Sequence, residues 1–200
     1  MCKRSPDVCA RALPCWQFHD VFGTDPELLA FVPTPVLAVM LLFPVSAAAK
    51  QTAAESVAQV NTDGQVLSDK VWFCKQRITN ACGTVGVLHA LMNADDVEKD
   101  GWLKKFAENT EGKDPEACAD VLEGDTELDK CHADAAEQGQ TRPPALDEVV
   151  KLHFVVMIQK DGCLYELDGR CVCACVCVMY MCMYVLTPLW PSQRACTDSH

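Results

Sequence analysis

The sequence predicts an α+β domain, and three stretches carry that expectation. "VLAVMLLF", from Val36, is an apolar run of strand length. "TNACGTVGVLHALM" sets Val85, Leu88, Leu91 and Met92 in an apolar helical run behind Cys82. "LHFVVMIQKDGCLYELDG" holds two apolar runs around Asp161-Gly162, the strongest short hairpin signal there is.

The remaining elements follow in chain order. Aromatic and β-branched residues predominate from Trp16 to Phe22, and "GTDPELLAFV" reads as a turn into a helix with Asp25 as cap and Pro26 at its first position. Residues 46–65, rich in Ala, Gln and Glu, read as a surface helix ending at Asp63-Gly64, and "KVWFCKQ" as a connector or strand into the Cys82 helix. "GWLKKFAEN" and "DPEACADVLEGD" read as amphipathic helices, the second with Pro115 at its start and Gly124 near its end. Residues 129–148 lack a sustained apolar period and read as a long loop, a length usually tied to function or disorder. Both faces of the final hairpin are largely apolar, which places it inside a sheet covered on both sides.

Half of the 200 residues are apolar, enough for one domain with its own core. Seventeen basic against 28 acidic residues, net −11, oppose attraction to nucleic acid or to an anionic membrane, and a basic protein partner suits the chain better. Fourteen cysteines without an apolar signal core at the amino terminus point to a reducing compartment, hence the cytoplasm. The uncharged run Ala30–Ala49 is interrupted by Pro33, Pro35 and Pro44, so it falls short of the roughly 20 apolar residues a membrane span needs.

The tail from Cys171, "CVCACVCVMYMCMYV", alternates two residue classes whose codons can alternate purine and pyrimidine in opposite phase. It is expected of a translated simple DNA repeat, that is, of non-coding sequence read as protein. Cys171, Cys173, Cys175 and Cys177 share one face of a strand, but their C-x-C spacing is not the C-x-x-C knuckle of structural zinc, and no metal is expected.

Cys82 at a helix start invites a nucleophilic reading, because the helix dipole and free amide groups favour thiolate over thiol. A cysteine so placed is more often buried filler, and the reading therefore needs a base, an orienting group and oxyanion donors. His89 stands about 10 Å from Cys82 along the helix axis and reads as a packed helix residue. His132 lies in the polar loop and His19 and His200 lie near the ends, whereas His153 opens the hairpin. A two-residue turn at Asp161-Gly162 pairs Lys160 with Cys163, Val155 with Asp168 and His153 with Arg170, so Asp168 lies one diagonal step from His153 on the same face. Such a pair can fix the imidazole tautomer and steady the imidazolium, though facing His and Asp residues are commonly only an edge pair. Gln76 could donate its amide to an oxyanion alongside the Cys82 N–H.

"QRITNACGTVGVLHALMN", "EQGQTRPPALDEVVKLHFVVMI" and "DGCLYELDGR" together resemble the ubiquitin carboxyl-terminal hydrolase family, most closely its small single-domain members. "WQFHDVFGTDPELLAFVPTPVLAVMLLFPV" extends the resemblance over residues 16–170, leaving a divergent segment 1–15 and the Cys-rich tail 171–200 outside it. The resemblance implies a papain-like fold with a central, mainly antiparallel sheet between helical layers. It implies Cys82 as nucleophile, His153 as general base and acid, Asp168 as the orienting carboxylate and Gln76 as oxyanion donor. The implied activity is thiol-dependent hydrolysis after the C-terminal glycine of ubiquitin or a ubiquitin-like modifier, by a monomer with no metal or organic cofactor.

By the same resemblance the segment around Gln138, Gly139, Gln140 and Pro143 crosses the active site and gates it. About 20 extended residues reach about 68 Å, a ring about 22 Å across, too narrow for a folded domain of ubiquitin size at roughly 29 Å. Small adducts and short peptides are the expected leaving groups. After Arg170 the family adds strand and helix, and with the Cys-rich tail in their place an uncovered sheet edge is expected. The alternative to an active enzyme is an impaired ubiquitin-binding or misfolded fragment.

Overall fold

The computed structural model describes residues 16–47, 51, 54, 55, 58, 68–131, 151–170 and 183–188. Strand β1 (Trp16–Val21) leads through a four-residue helix α1 (Pro26–Leu29) to β2 (Ala38–Pro44), as the sequence pattern predicts. Asp25 takes the extended cap conformation before Pro26, although its side chain makes no capping bond. The helical positions at 47, 51, 54, 55 and 58 are all exposed, in keeping with a surface helix there, whereas Asp63-Gly64 lies outside the described residues.

Three helices follow: α2 (Cys82–Asn93), α3 (Gly101–Thr110) and α4 (Pro115–Glu123). Asp114 caps α4 by accepting from the amides of Glu116 and Ala117, which satisfies two of the donors a helix start leaves free. Residues 126–131 are helical, so the first positions of the expected long loop belong to a helical turn; the loop beyond lies outside the described residues.

The hairpin β3 (Leu152–Lys160) and β4 (Cys163–Leu167) has the register that its turn dictates, from Lys160 opposite Cys163 to Val156 opposite Leu167. Asp161 and Gly162 both take positive φ, 50° and 80°, as a two-residue turn matched to strand twist requires. Val155 and Val156, on opposite faces of β3, are both buried, so this strand is covered on both sides. The same expectation fails for β4: it is an edge strand, and Cys163 and Leu164 near its turn are exposed. Ser68 and Lys70 secure this end of the sheet by binding Asp161 at 2.6 and 2.8 Å.

The sheet runs in the order β1-β5-β2-β3-β4, and every pairing is antiparallel. Strand β5 (Met183–Pro188) comes from the Cys-rich tail. The expectation that the tail leaves the sheet uncovered after Arg170 is thereby corrected for this stretch, which lies between β1 and β2 and pairs with both. Strands β1 and β2 run parallel, and one strand antiparallel to both fits between them; Tyr-Val-Leu-Thr has the residue types for it. The four-cysteine alternation upstream lies outside the described residues.

Helix α2 lies against the sheet at small residues. The Cβ position of Gly86 is only 3.0 Å from Met40 Cε and 3.3 Å from Val156 Cγ2, and that of Gly83 is 3.5 Å from the Phe154 ring. Val85, Leu88 and Leu91 of α2 bury with Met40, Val156 and Ile158, and Leu103, Phe106, Cys118 and Leu122 of α3 and α4 extend the same core. Among the described residues no helix is long and apolar enough to cross a membrane.

If β5 holds the sheet together, Val185→Pro removes a ladder donor from a strand paired on both sides and cannot be accommodated as it would be at an edge. Thermal unfolding should then lose its cooperativity or shift to markedly lower temperature; an unchanged melt would contradict this placement.

Candidate active site

The turn before α2 changes the chain's direction at Asn80, whose φ of 60° lies in the left-handed region that Asn tolerates best among residues with a side chain. Cys82 is the first residue of α2, behind Ala81, which offers no side-chain cap. Its sulfur therefore sits at the positive end of a helix dipole, beside amide groups without intrahelical partners.

His153 enters from the second position of β3, and Asp168 follows the last residue of β4. The hairpin register brings them together: His153 Nε2 and Asp168 Oδ1 are 2.7 Å apart. A carboxylate can only accept, so the Nε2 proton donates to it. The same oxygen accepts the Arg170 N–H at 2.9 Å, which fixes the carboxylate from the backbone side. Phe43, opposite His153 across the β2–β3 pairing, sets its ring edge-on to the imidazole at 5.8 Å between centroids.

The imidazole is 3 % exposed and Cys82 8 %. His153 Nδ1 is buried without a geometrically formed hydrogen bond, yet the thiol and the imidazole stand close enough to shift one another. Burial alone would raise the Cys82 thiol, but His153, the Phe154 backbone and the charge of Arg170 outweigh it and lower the thiol below its ordinary 9.0. Burial likewise opposes charge on His153, while Asp168 and Cys82 raise it to about 8. Both shifts favour a thiolate facing an imidazolium.

Gln76 packs on the Asp168-Gly169 turn, its N–H donating to Gly169 O at 2.8 Å. Its Nε2 donates to Ile78 O at 3.2 Å, and its Oε1 is buried without a hydrogen-bond partner. The segment leading to Gln76 is bound along α2: Asn93 brackets Trp72 through both backbone groups at 2.7 and 2.8 Å, and the Cys74 N–H meets His89 Nε2 at 3.2 Å. His89, 1 % exposed and pushed down to about 4 by burial, is thus a packed residue that ties this segment down, in line with the sequence reading.

Of the residues singled out in the sequence, the fold brings Cys82, His153 and Asp168 into one cluster and sets Gln76 against the turn that carries Asp168. His19 sits on edge strand β1 bonded to Gln17, and His132, His200 and the gating residues Gln138, Gly139, Gln140 and Pro143 lie outside the described residues. The sequence reading missed Glu166. Two residues before Asp168 and hence on its face of β4, its carboxyl is pushed up to about 7 by burial first and the Asp168 charge second. The alternation Glu166, Asp168 was the available signal. No group of His, Cys, Asp and Glu side chains suited to a metal occurs among the described residues.

These titrations set a pH dependence of stability. The raised value of His153, about 8 against 6.5, stabilises the fold fully below pH 6.5 and stops doing so as pH rises through 8. Glu166, raised to about 7 from 4.5, favours the protonated folded state, so its contribution falls away as pH rises from 4.5 through 7. Cys82 works the other way, adding stability only as pH approaches its unfolded 9.0. Stability measured by denaturant should therefore decline between about pH 5 and pH 8, and Glu166→Gln should recover about 1–3 kcal/mol at the alkaline end. A wild-type profile flat over that range would contradict both shifts.

The model of ubiquitin carboxyl-terminal hydrolase, family 1, matches residues 10–180. The probable ubiquitin carboxyl-terminal hydrolase of Dictyostelium discoideum is 44% identical over 158 residues, covering 78% of this chain and 62% of its own length. The Aplysia californica ubiquitin carboxyl-terminal hydrolase is also 44% identical, with 71% of it covered, and Homo sapiens isozyme L1 is 39% identical, with 69% covered. The chain thus spans between about six and seven tenths of these relatives. In fold it is similar to the Trichinella spiralis UCH37 catalytic domain bound to ubiquitin vinyl methyl ester, with a TM-score of 0.60 over 87% of this chain and 86% of that one at 19% identity. With the family's model matching residues 10–180 and relatives 39–44% identical over 158 residues, this chain belongs to ubiquitin carboxyl-terminal hydrolase family 1.

Proposed function

We propose that the chain is a thiol-dependent hydrolase that releases small adducts or short peptides from the C-terminal glycine of ubiquitin or a ubiquitin-like modifier. The observation that carries this reading is the buried imidazole with a carboxylate at Nε2 and a lowered thiol acting on it from the first residue of a helix. The relatives' names, and the ubiquitin vinyl methyl ester bound to the structural neighbour, support the substrate class.

In this mechanism the Cys82 thiolate attacks the carbonyl carbon of the C-terminal glycine, forming the C–S bond while the carbonyl π pair moves onto oxygen. The Cys82 N–H and a Gln76 Nε2 hydrogen donate to that oxyanion. The imidazolium of His153 passes its proton to the leaving nitrogen as the C–N bond breaks, which leaves a thioester. Neutral His153 then takes a proton from water as hydroxide adds to the thioester, the C–S bond breaks to restore the thiolate, and the freed glycine carboxyl loses its proton to solvent as it departs. Asp168 holds the imidazole's tautomer and balances its charge throughout. No step calls on a metal or an organic cofactor.

The segment beyond Cys131, up to residue 149, acts as the sieve that limits leaving groups to small or unfolded ones, on the length argument above, which the helical residues 129–131 tighten further. The same reading makes the chain a cytoplasmic monomer acting in ubiquitin-dependent catabolism with ubiquitin as partner, and its acidic balance suits a basic protein partner. The impaired-fragment reading rested on loss of the strand and helix that follow Arg170 in the family; β5 supplies a strand there, and the family match favours the active enzyme.

Reaction with ubiquitin vinyl methyl ester tests the proposal. Wild type should gain the mass of one ubiquitin and Cys82→Ala none; an adduct that survives the substitution, or none on either protein, would contradict it.

A further inference from the structure

Lys75, Gln76 and Arg77 face two sides. Gln76 turns toward the Asp168-Gly169 turn so closely that a Cβ on Gly169 would stand 2.9 Å from Gln76 Cβ. Its two neighbours reach the other way, onto α4. Lys75 Nζ binds Glu116 Oε1 at 2.5 Å. Arg77 grips Glu123 with both ends of its fork, Nε to Oε1 at 3.2 Å and Nη2 to Oε2 at 2.5 Å, and Nη2 also binds Asp120. Glu116, Asp120 and Glu123 recur at helical spacing, so they form one acidic face of α4.

We propose that Arg77 is a positioning residue for the oxyanion donor: its fork on Glu123 and Asp120 sets the angle of the backbone that carries Gln76. The inference rests on the role given to Gln76 above. Among the described residues the Gln76 amide has little else to hold it, since Nε2 has one weak partner there, Ile78 O at 3.2 Å, and Oε1 has none. Its direction therefore depends on the chain beneath it. Backbone bonds fix that chain on the near side, from Lys75 to Pro115 O at 3.2 Å and from Gln76 to Gly169 O at 2.8 Å. Arg77 fixes the far side, just before the turn into Cys82.

A guanidinium suits this task because its planar fork fixes orientation as well as distance, which the point charge of a lysine does not. Arg77 is itself 34% exposed, and its partners 41–69%. Exposed pairs of this kind add little to global stability. The predicted effect therefore falls on the rate of acyl transfer rather than on the melting temperature.

Steady-state hydrolysis of a fluorogenic amide of ubiquitin by wild type, Gln76→Ala, Arg77→Ala, Arg77→Lys and the double variant Gln76→Ala with Arg77→Ala tests this, alongside iodoacetamide alkylation of Cys82 followed on its peptide. Arg77→Ala should lower kcat about tenfold at unchanged KM, and Arg77→Lys should restore only part of it. Alkylation of Cys82, which forms no oxyanion, should keep its wild-type rate. In the Gln76→Ala background the Arg77 substitution should cost about twofold or less, because the group it positions is gone. A full cost in that background, an equal loss in alkylation, or an unaltered kcat would overturn the proposal. Should Gln76→Ala itself turn over normally, the oxyanion assignment fails first and takes this inference with it.

Discussion

A buried imidazole can hold a proton only if something nearby makes up for the water it has lost, and in this fold that group is Asp168, 2.7 Å away. Everything that makes the site reactive passes through this contact. His153 does most to offset the burial of Cys82, with the Phe154 backbone and the charge of Arg170 beside it, and the helix start adds in the same direction. The contact itself is fixed by a two-residue turn more than five residues away, since a slip of one residue in the β3–β4 register would move His153 or Asp168 to the other face. The hairpin turn and the chemistry are therefore one constraint seen at two ends.

The site is held at a cost. Three acidic or acidifiable groups, the half-buried Asp168 and Glu166 and the buried Cys82 thiol, crowd one buried imidazole, and the Glu166 carboxyl is pushed up to about 7 by burial and by the Asp168 charge. A fold assembled for stability alone would not place Glu166 beside Asp168. The rest of the structure absorbs this strain through close packing: α2 sits on the sheet at Gly83 and Gly86, and His89 and Asn93 bind the segment that leads to Gln76.

Features with short-range causes were legible in the sequence. The Asp-Pro helix starts, the hairpin and its register follow from residues in contact along the chain, and from that register the His153–Asp168 pair followed as well. That Cys82 meets this pair is a contact across some 70 residues, and only the combination of motifs made it readable. Long-range partners were hidden. Strand β5 pairs Pro188 with Trp16, a separation no local pattern encodes, and the cysteine alternation just before it drew attention away from an ordinary strand-forming Tyr-Val-Leu-Thr. Arg77 reads as an exposed cation until α4, more than 40 residues on, brings its acids to meet it.

The most direct measurement is the titration of the His153 imidazole by NMR, in wild type and in Asp168→Asn. The wild-type ring should titrate near 8, and in the variant, with burial left unopposed by the carboxylate, it should fall to the ordinary 6.5 or below. A wild-type imidazole that titrates at or below 6.5, and does not respond to the loss of Asp168, would contradict the account at its centre.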